Sequence, residues 1–481
     1  MKHFFATYKW LLLLMVATVL VRLPTLNRPL SKHHEFNTAV VLTNAISWQQ
    51  AGGAAQFSFT PLMNFQGTAN KLLEKGPHTD SLGNHVYLSF GAGWYMLPYA
   101  IFTALNIPFT PLALQILNIL ISLLTTVILY RLLVRINKQP HVALTATAMF
   151  AFMPATLWYG GNGYVTTSIM LPLVLAVLGY WHSFATTQLI KPYALAGLAL
   201  TGIALCYFDW VAVFLLAGMG IWAAVQAIRQ KQFAILTLVC TATVTLAVWL
   251  ILAQFASYLG WHQVLDYWTR RFAERSTDTS QASGLVLWLR FMINQATSFG
   301  PLLLVVAARF MMSKAGYPKM PYWLMVAAAS VVLYNLVFFN WSALHEFAWM
   351  AGGLVATLLA GVIVLPMLSS KRLVSTTVLV IALSIAIYYA ANPTGHTNWK
   401  GEPYDRYLIA GTNIAQKVPA DAFIFTNAGD QKITEFYARR TFQVVANRED
   451  SRKLIALHNL KKAVWLAYGP DGITAIEPLA P

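Results

Sequence analysis

Repeated apolar runs, each near the length needed to cross a bilayer, constrain this chain more than any other feature. They cover residues 10–23, 111–132, 141–158, 167–187, 193–208, 210–228, 233–256, 298–312, 322–340, 347–368 and 373–391. A hydrocarbon core of about 30 Å needs roughly 20 apolar residues as a helix, and a backbone in lipid must satisfy its own hydrogen bonds. The expected fold is therefore mainly α, a polytopic membrane helical bundle of about 11 spans. Composition agrees, with 57% of residues hydrophobic and 10% charged. The first run follows Lys2 and Lys9 as a signal peptide would, but Arg22-Leu-Pro-Thr-Leu-Asn-Arg28 comes next and no Ala-x-Ala cleavage site follows. A permanent span is expected.

A net charge of +16 would point to nucleic acid in a soluble protein. Here an N-terminus on the cytoplasmic side puts Arg131, Arg135 and Lys138, then Arg229 and Lys231, then Arg309, Lys314 and Lys319, then Lys371 and Arg372 in cytoplasmic loops. The positive-inside rule accounts for the charge, and no nucleic-acid partner is expected. The apolar segment 87–105 would reverse that bias if it crossed, and Gly91, Gly93 and Pro98 interrupt it. We expect it to lie at the outer interface. Cys206 and Cys240 sit in apolar runs and support neither a disulfide framework nor a metal-thiolate site.

Residues 392–481 change character. Three β-like runs, 422–426, 441–445 and 463–467, alternate with helical patterns at 404–417, 430–440 and 450–460. This suggests a small α/β domain outside the cytoplasm. The expected division is 1–391 for the transmembrane part, with interfacial helices in 27–109, and 392–481 for the second domain.

Acids are scarce and fall on the expected outer side: Glu35, Glu74, Asp80, Asp209, Asp266, Glu274, Asp278 and Glu346. With them are His33, His34, His78, His85, His262 and His345, and Arg270 with Arg271. An outward-facing active site needs a carboxylate to take a proton and arginines to hold a phosphate. The blander reading is a solvated loop with ordinary surface charge. His345-Glu346 stands at the outer mouth of a run between Trp341 and Trp349, where it reads equally as an interfacial pair in an aromatic belt. Trp261 to Arg271 has the pattern of a surface amphipathic helix, and Arg270 and Arg271 near its end could clamp a phosphate headgroup.

The stretch from Leu26 to Phe36 places Glu35 just outside the first span. As a structural residue it would begin the helix 36–49; a helix N-terminus also favours the ionised form that a general base needs. His33 and His34 with Glu35 could bind a divalent metal, although adjacent ligands in one turn point apart and no second cluster has metal spacing. No cofactor is assigned, and dependence on a divalent metal stays open. Trp94, Tyr95, Trp158 and Tyr159 could stack on a sugar, or belong to the aromatic belt.

Arg22-Leu-Pro followed by His34-Glu35, the segment Tyr87 to Pro98, and Tyr437-Ala-Arg-Arg440 give the chain a layout that resembles the GT-C superfamily of integral membrane glycosyltransferases. It is most similar to the aminoarabinose transferase and protein O-mannosyltransferase families. The resemblance implies an inverting enzyme of a bacterial cytoplasmic membrane that moves a sugar from a polyprenyl-phosphate donor to a lipid, glycan or protein acceptor. It implies Glu35 as the base, with cations such as Arg270 and Arg271 meeting the charge of the leaving phosphate; Asp80 is the second catalytic residue we expect. His34, His85, Asp209, Arg270, Arg271, His345 and Glu346 are the expected substrate contacts. Where many members carry another acid, this chain has Gly160-Gly-Asn-Gly-Tyr-Val-Thr-Thr-Ser168, so a second acid, if the reaction needs one, comes from elsewhere, with Asp80, Asp209 and Glu346 as candidates. The rivals are a transporter or flippase of a lipid-linked sugar, against which the scarcity of ionisable residues inside the runs argues, and a non-catalytic scaffold.

Overall fold

The computed structural model describes residues 2–31, 33–73, 78–276, 284–312, 320–391, 405–429, 431–469 and 472–479. Glu74, Asp278, Lys314 and Lys319 lie outside them. The described chain is mostly helical, with one small sheet. Among the described residues, six helices are long and apolar enough to cross a membrane: Tyr8–Thr25, Pro111–Asn137, Phe233–Leu259, Gly284–Ala308, Glu346–Met367 and Ser370–Ala391. Five apolar helices are shorter, Pro140–Phe152, Leu171–Thr187, Pro192–Phe208, Val211–Ala227 and Tyr322–Val337. Every expected run falls on one of these segments, and the chain is a multi-pass membrane protein.

Three runs differ in detail. The run 298–312 begins earlier, in a helix Gly284–Met312 that accommodates Pro301. The run 141–158 is two helices, Pro140–Phe152 and Pro154–Tyr159, because Met153 before Pro154 is extended at ψ 139. The run 347–368 changes pitch, from the α-helix Met350–Leu359 through a π turn Ala360–Val364 to a 3-10 turn Leu365–Met367 around Pro366. A proline cannot donate to the helical ladder, and the turn before it opens. The segment 87–105 contains only the helix Gly93–Ala104, whose 12 residues reach roughly 18 Å and fall short of a bilayer core.

The chain forms two compact units. One comprises residues 1–26, 116–251 and 269–392. Its interior is tied by polar side chains that cap irregular backbone. Arg22, only 2% exposed, donates to the carbonyls of Thr156 (2.9 Å) and Leu157 (3.0 Å) and to Ser122 Oγ (3.1 Å). A buried cation without a carboxylate persists because several acceptors face it. Gly160 is required here: a Cβ would sit 2.5 Å from the Thr156 carbonyl and 2.9 Å from the Arg22 guanidinium. Asn162 in the wholly buried loop 160–168 donates to Thr25 O (2.8 Å) and accepts from Thr25 Oγ1 (3.0 Å).

The other unit comprises residues 27–115, 252–268 and 393–481. It holds the sheet, in the order β2-β1-β3-β4, with β1 Phe423–Thr426, β2 Phe442–Val444, β3 Ala463–Gly469 and β4 Gly472–Leu479. β1 is parallel to β2 and β3, as expected of strands joined by helices; β3 and β4 form an antiparallel hairpin. Three strands match the expected runs. The fourth, with Pro478, is an edge strand, where a missing N–H is tolerated. Alternation sorts the core: Ile424, Val464 and Leu466 face Ile414 and Ala438, and Phe425, Ala463 and Trp465 face Ile455 and Leu72. Leu72 comes from the long first loop, which therefore packs on the sheet.

Candidate active site

Glu35 immediately precedes the helix Phe36–Gln50, but its side chain makes no capping bond to that helix. It turns back onto the loop that leads to it. Glu35 Oε2 accepts from Ser31 N (2.6 Å), Ser31 Oγ (2.6 Å) and Arg28 Nη2 (2.9 Å). The carboxylate is fully buried and Arg28 is 10% exposed. Its second oxygen, Oε1, is buried and accepts no hydrogen bond among the described residues. An acceptor oxygen left open beside one that is held by three donors is costly in a folded chain and calls for a partner from outside the described residues.

The loop is held from the sheet side. Leu30 N donates to Tyr437 Oη at 2.9 Å. The Tyr437 phenol is pushed up to about 12, by burial first and by the Glu35 carboxylate against the opposing Leu30 N–H and Arg28, so it keeps its proton. Tyr437 follows from the helix Lys432–Ala438, and Arg439 closes that helix in the left-handed region at φ 54. Arg440 then donates to Asn70 Oδ1 (3.4 Å) and to the carbonyls of Pro419 (2.9 Å) and Ala422. Thus the Tyr437-Ala-Arg-Arg440 turn contacts the acid-bearing loop through its tyrosine and the strand approach through its arginine.

Asp80 differs from Glu35. Its Oδ1 accepts from Leu82 N and Asn84 N, both 2.8 Å; its Oδ2 accepts from Asn84 Nδ2 at 2.8 Å and from the Tyr258 hydroxyl. Both oxygens are engaged. The same segment is joined to the chain around residue 260 by Gln263 Nε2 on Thr79 O (2.8 Å) and Trp268 Nε1 on Leu88 O (2.9 Å). His85 pairs through its backbone with Asn64 Oδ1 (2.8 Å), and burial, with the charge of Lys432 and His78 added, lowers its imidazole to about 4. It is neutral at neutral pH. His34 takes a left-handed backbone, φ 55, with its ring 5.5 Å from that of His33 and 6.4 Å from that of Phe36.

The remaining expected residues belong to the other unit. Asp209, fully buried in the turn between Pro192–Phe208 and Val211–Ala227, accepts from Val211 N (3.0 Å) and Tyr334 Oη (2.8 Å). Burial raises its carboxyl to about 6, against those two bonds and the charge of Arg275. Glu346 accepts from Tyr159 Oη at 2.5 Å, and His345 stacks on Phe347 with centroids 5.0 Å apart. An aromatic series, Tyr334 to Trp341 (6.1 Å), Trp341 to Phe347 (5.9 Å) and Phe347 to Tyr159 (5.5 Å), joins the Asp209 and Glu346 pairs. Arg270 is exposed and Arg271 pairs with Glu274 at the surface. The buried arginine of their helix is Arg275, 8% exposed, with its guanidinium 5.5 Å from the centre of the Trp341 ring.

Arg275, Arg28, Ser31 and Tyr437 were absent from the expected site. Arg275 had a signal in its spacing, four residues after Arg271, one helical turn further along the amphipathic pattern. Trp94, Tyr95, Trp158 and Tyr159 are all at most 3% exposed and pack on protein rings, Trp94 on Tyr95 at 4.3 Å and Trp158 on Tyr388 at 6.5 Å. None presents a free face to a sugar in this conformation.

No protein-family model and no curated protein sequence matches this chain. Solved structures do. ArnT from Cupriavidus metallidurans bound to undecaprenyl phosphate superposes with a TM-score of 0.60 at 12% identity, over 97% of this chain and 94% of that one. The Archaeoglobus fulgidus oligosaccharyltransferase in complex with zinc and sulfate gives 0.57 at 13% identity, over 95% and 68%. Archaeal AglB from the same organism, in complex with an inhibitory peptide and a dolichol-phosphate, gives 0.52 at 13% identity, over 96% and 70%. The chain shares the fold of these ArnT and oligosaccharyltransferase structures.

Proposed function

We propose that this protein is an inverting glycosyltransferase that moves a sugar from a polyprenyl-phosphate donor to a lipid, glycan or protein acceptor. The observation that carries the reading is Glu35: a buried carboxylate in the first loop after the first span, clamped through one oxygen and open at the other. The similarity of fold to structures that hold undecaprenyl phosphate and dolichol-phosphate supports the donor class. In this reading the acceptor hydroxyl or amine attacks the anomeric carbon from the face opposite the phosphate. Its proton passes to Glu35 Oε1, the bond from C1 to the phosphate oxygen breaks, and polyprenyl phosphate leaves with the electron pair. Arg28 and Ser31 fix the carboxylate, and a positioned base contributes about 10²- to 10⁴-fold.

The eleven apolar segments then cross a bacterial inner membrane, Pro140–Phe152 together with Pro154–Tyr159 forming one of them, and Glu35 and residues 392–481 lie on its outer side. Asp80, with its oxygens taken, holds the loop around it. A divalent metal would meet at Glu35 a single open oxygen beside an arginine, a surrounding that suits a base better than a cation.

The test is a transfer assay with purified protein and Glu35→Gln, a panel of polyprenyl-phosphate sugars and a membrane lipid extract, following release of free polyprenyl phosphate. Release by the wild type and its loss in a Glu35→Gln variant that keeps a cooperative unfolding transition, at whatever Tm, supports donor class and base together. Equal release by both would sink the assignment of Glu35.

A further inference from the structure

The unit formed by residues 1–26, 116–251 and 269–392 contains a cavity of about 590 Å³ that the proposed chemistry does not use. It opens among helix ends: Asn137 ends Pro111–Asn137, His182 lies in the last turns of Leu171–Thr187, Trp222 and Gln226 in those of Val211–Ala227, and Trp323 in the first turn of Tyr322–Val337. Asp209 and Tyr334 are at the other ends of the last two helices, roughly 20 Å away at 1.5 Å per residue. The cavity is therefore at the opposite end of this bundle from the Asp209–Tyr334 pair.

Its lining mixes polar, aromatic and aliphatic side chains and includes no carboxylate among the described residues. His182 is 7% exposed and its Nδ1 has no hydrogen-bond partner among the described residues. A buried imidazole nitrogen left open on a cavity wall calls for a partner from outside the protein. Gln139 and Gln226 add amide donors, while Asn137 Nδ2 is spent on the Gly361 carbonyl of the π turn at 2.8 Å. Trp222 and Trp323 form apolar walls. Arg135 and Lys138 bear electrostatically on His182. The segments that continue from these helix ends, 131–140, 187–192, 228–233 and 368–373, carry Arg131, Arg135, Lys138, Lys191, Arg229, Lys231, Lys371 and Arg372 and no Asp or Glu.

We infer that this cavity binds the phosphate headgroup of an anionic membrane lipid. The open His182 nitrogen, the two amides and the nearby cations Arg135 and Lys138 supply the complement of a phosphate, the tryptophan walls suit the glycerol and first methylenes, and basic pockets between helix ends are where such headgroups are held. Topology alone would place basic residues in these loops; it does not leave a buried histidine nitrogen open beside them.

The experiment compares thermal unfolding of the full chain in nanodiscs of phosphatidylcholine with and without phosphatidylglycerol. The wild type gains about 2 °C or more with phosphatidylglycerol, the mass-action signature of a ligand for the folded state. The double variant Arg135→Gln/Lys138→Gln, and separately His182→Leu, lose the gain while each keeps its own unfolding transition in phosphatidylcholine. The control Lys371→Gln/Arg372→Gln, changed at exposed positions of the same end, retains it. No gain in the wild type, an equal gain in the Arg135/Lys138 variant, or the same gain from inorganic phosphate in phosphatidylcholine nanodiscs would overturn the assignment, the last by making the ligand a soluble phosphate.

Discussion

Arg28 Nη2 lies 2.9 Å from Glu35 Oε2, seven residues apart across a loop, and Ser31 between them donates twice to the same oxygen. The pair closes the loop on itself and leaves Glu35 Oε1 as the exit for its basicity. Removing the arginine would strand a buried carboxylate. Arg28→Met is expected to cost about 3–5 kcal/mol, seen as a lower Tm. Ser31→Ala removes one of three donors, keeps the backbone one, and is expected to lower kcat about 5-fold at unchanged KM. A KM effect without a kcat effect would place Ser31 on substrate instead.

Tyr437→Phe removes the acceptor of the buried Leu30 N–H, which then has no partner at 2.9 Å. An orphaned buried donor costs about 1–3 kcal/mol, so Tm falls, and the acid-bearing loop loses its tie to the helix Lys432–Ala438. Transfer should fall with it, and faster hydrogen exchange confined to residues 27–35 would locate the loosening.

Asp80→Asn should separate stability from chemistry. Four donors converge on this carboxylate, and replacing it weakens bonds to a charged acceptor worth about 1.5–3 kcal/mol. The expected outcome is a lower Tm with kcat per folded molecule within about 2-fold of wild type. A collapse of kcat in well-folded protein would move Asp80 into the reaction.

Acid should destabilise the protein through His85. Its imidazole, ordinarily near 6.5, is lowered to about 4 in the fold by burial and by the positive charge of Lys432 and His78. Between those values the unfolded chain binds a proton that the folded chain refuses, so stability falls as pH drops through that window and is level above it. His85→Gln removes this component, and the slope of Tm against pH between 4 and 6.5 should flatten relative to wild type.

Much of this protein is determined by local pattern. Apolar runs of spanning length dictate helices because lipid offers no other partner for the backbone, and the scarcity of acids draws the eye to Glu35 from the residues alone. Alternation in 422–426, 441–445 and 463–467 specifies three strands, since a period of two has one structural meaning at that length; β4 escaped because Pro478 breaks the pattern an edge strand can afford to break. What tertiary structure decided is which polar groups meet. That Tyr437 reaches Leu30, 407 residues away, and that Arg22 serves the carbonyls at 156 and 157 in place of an acid, follow from packing that no window of sequence contains. The same holds for the oxygen states of the two acids. Glu35 and Asp80 are alike as letters, and only the converging donors around each distinguish a carboxylate with one oxygen open from one with none.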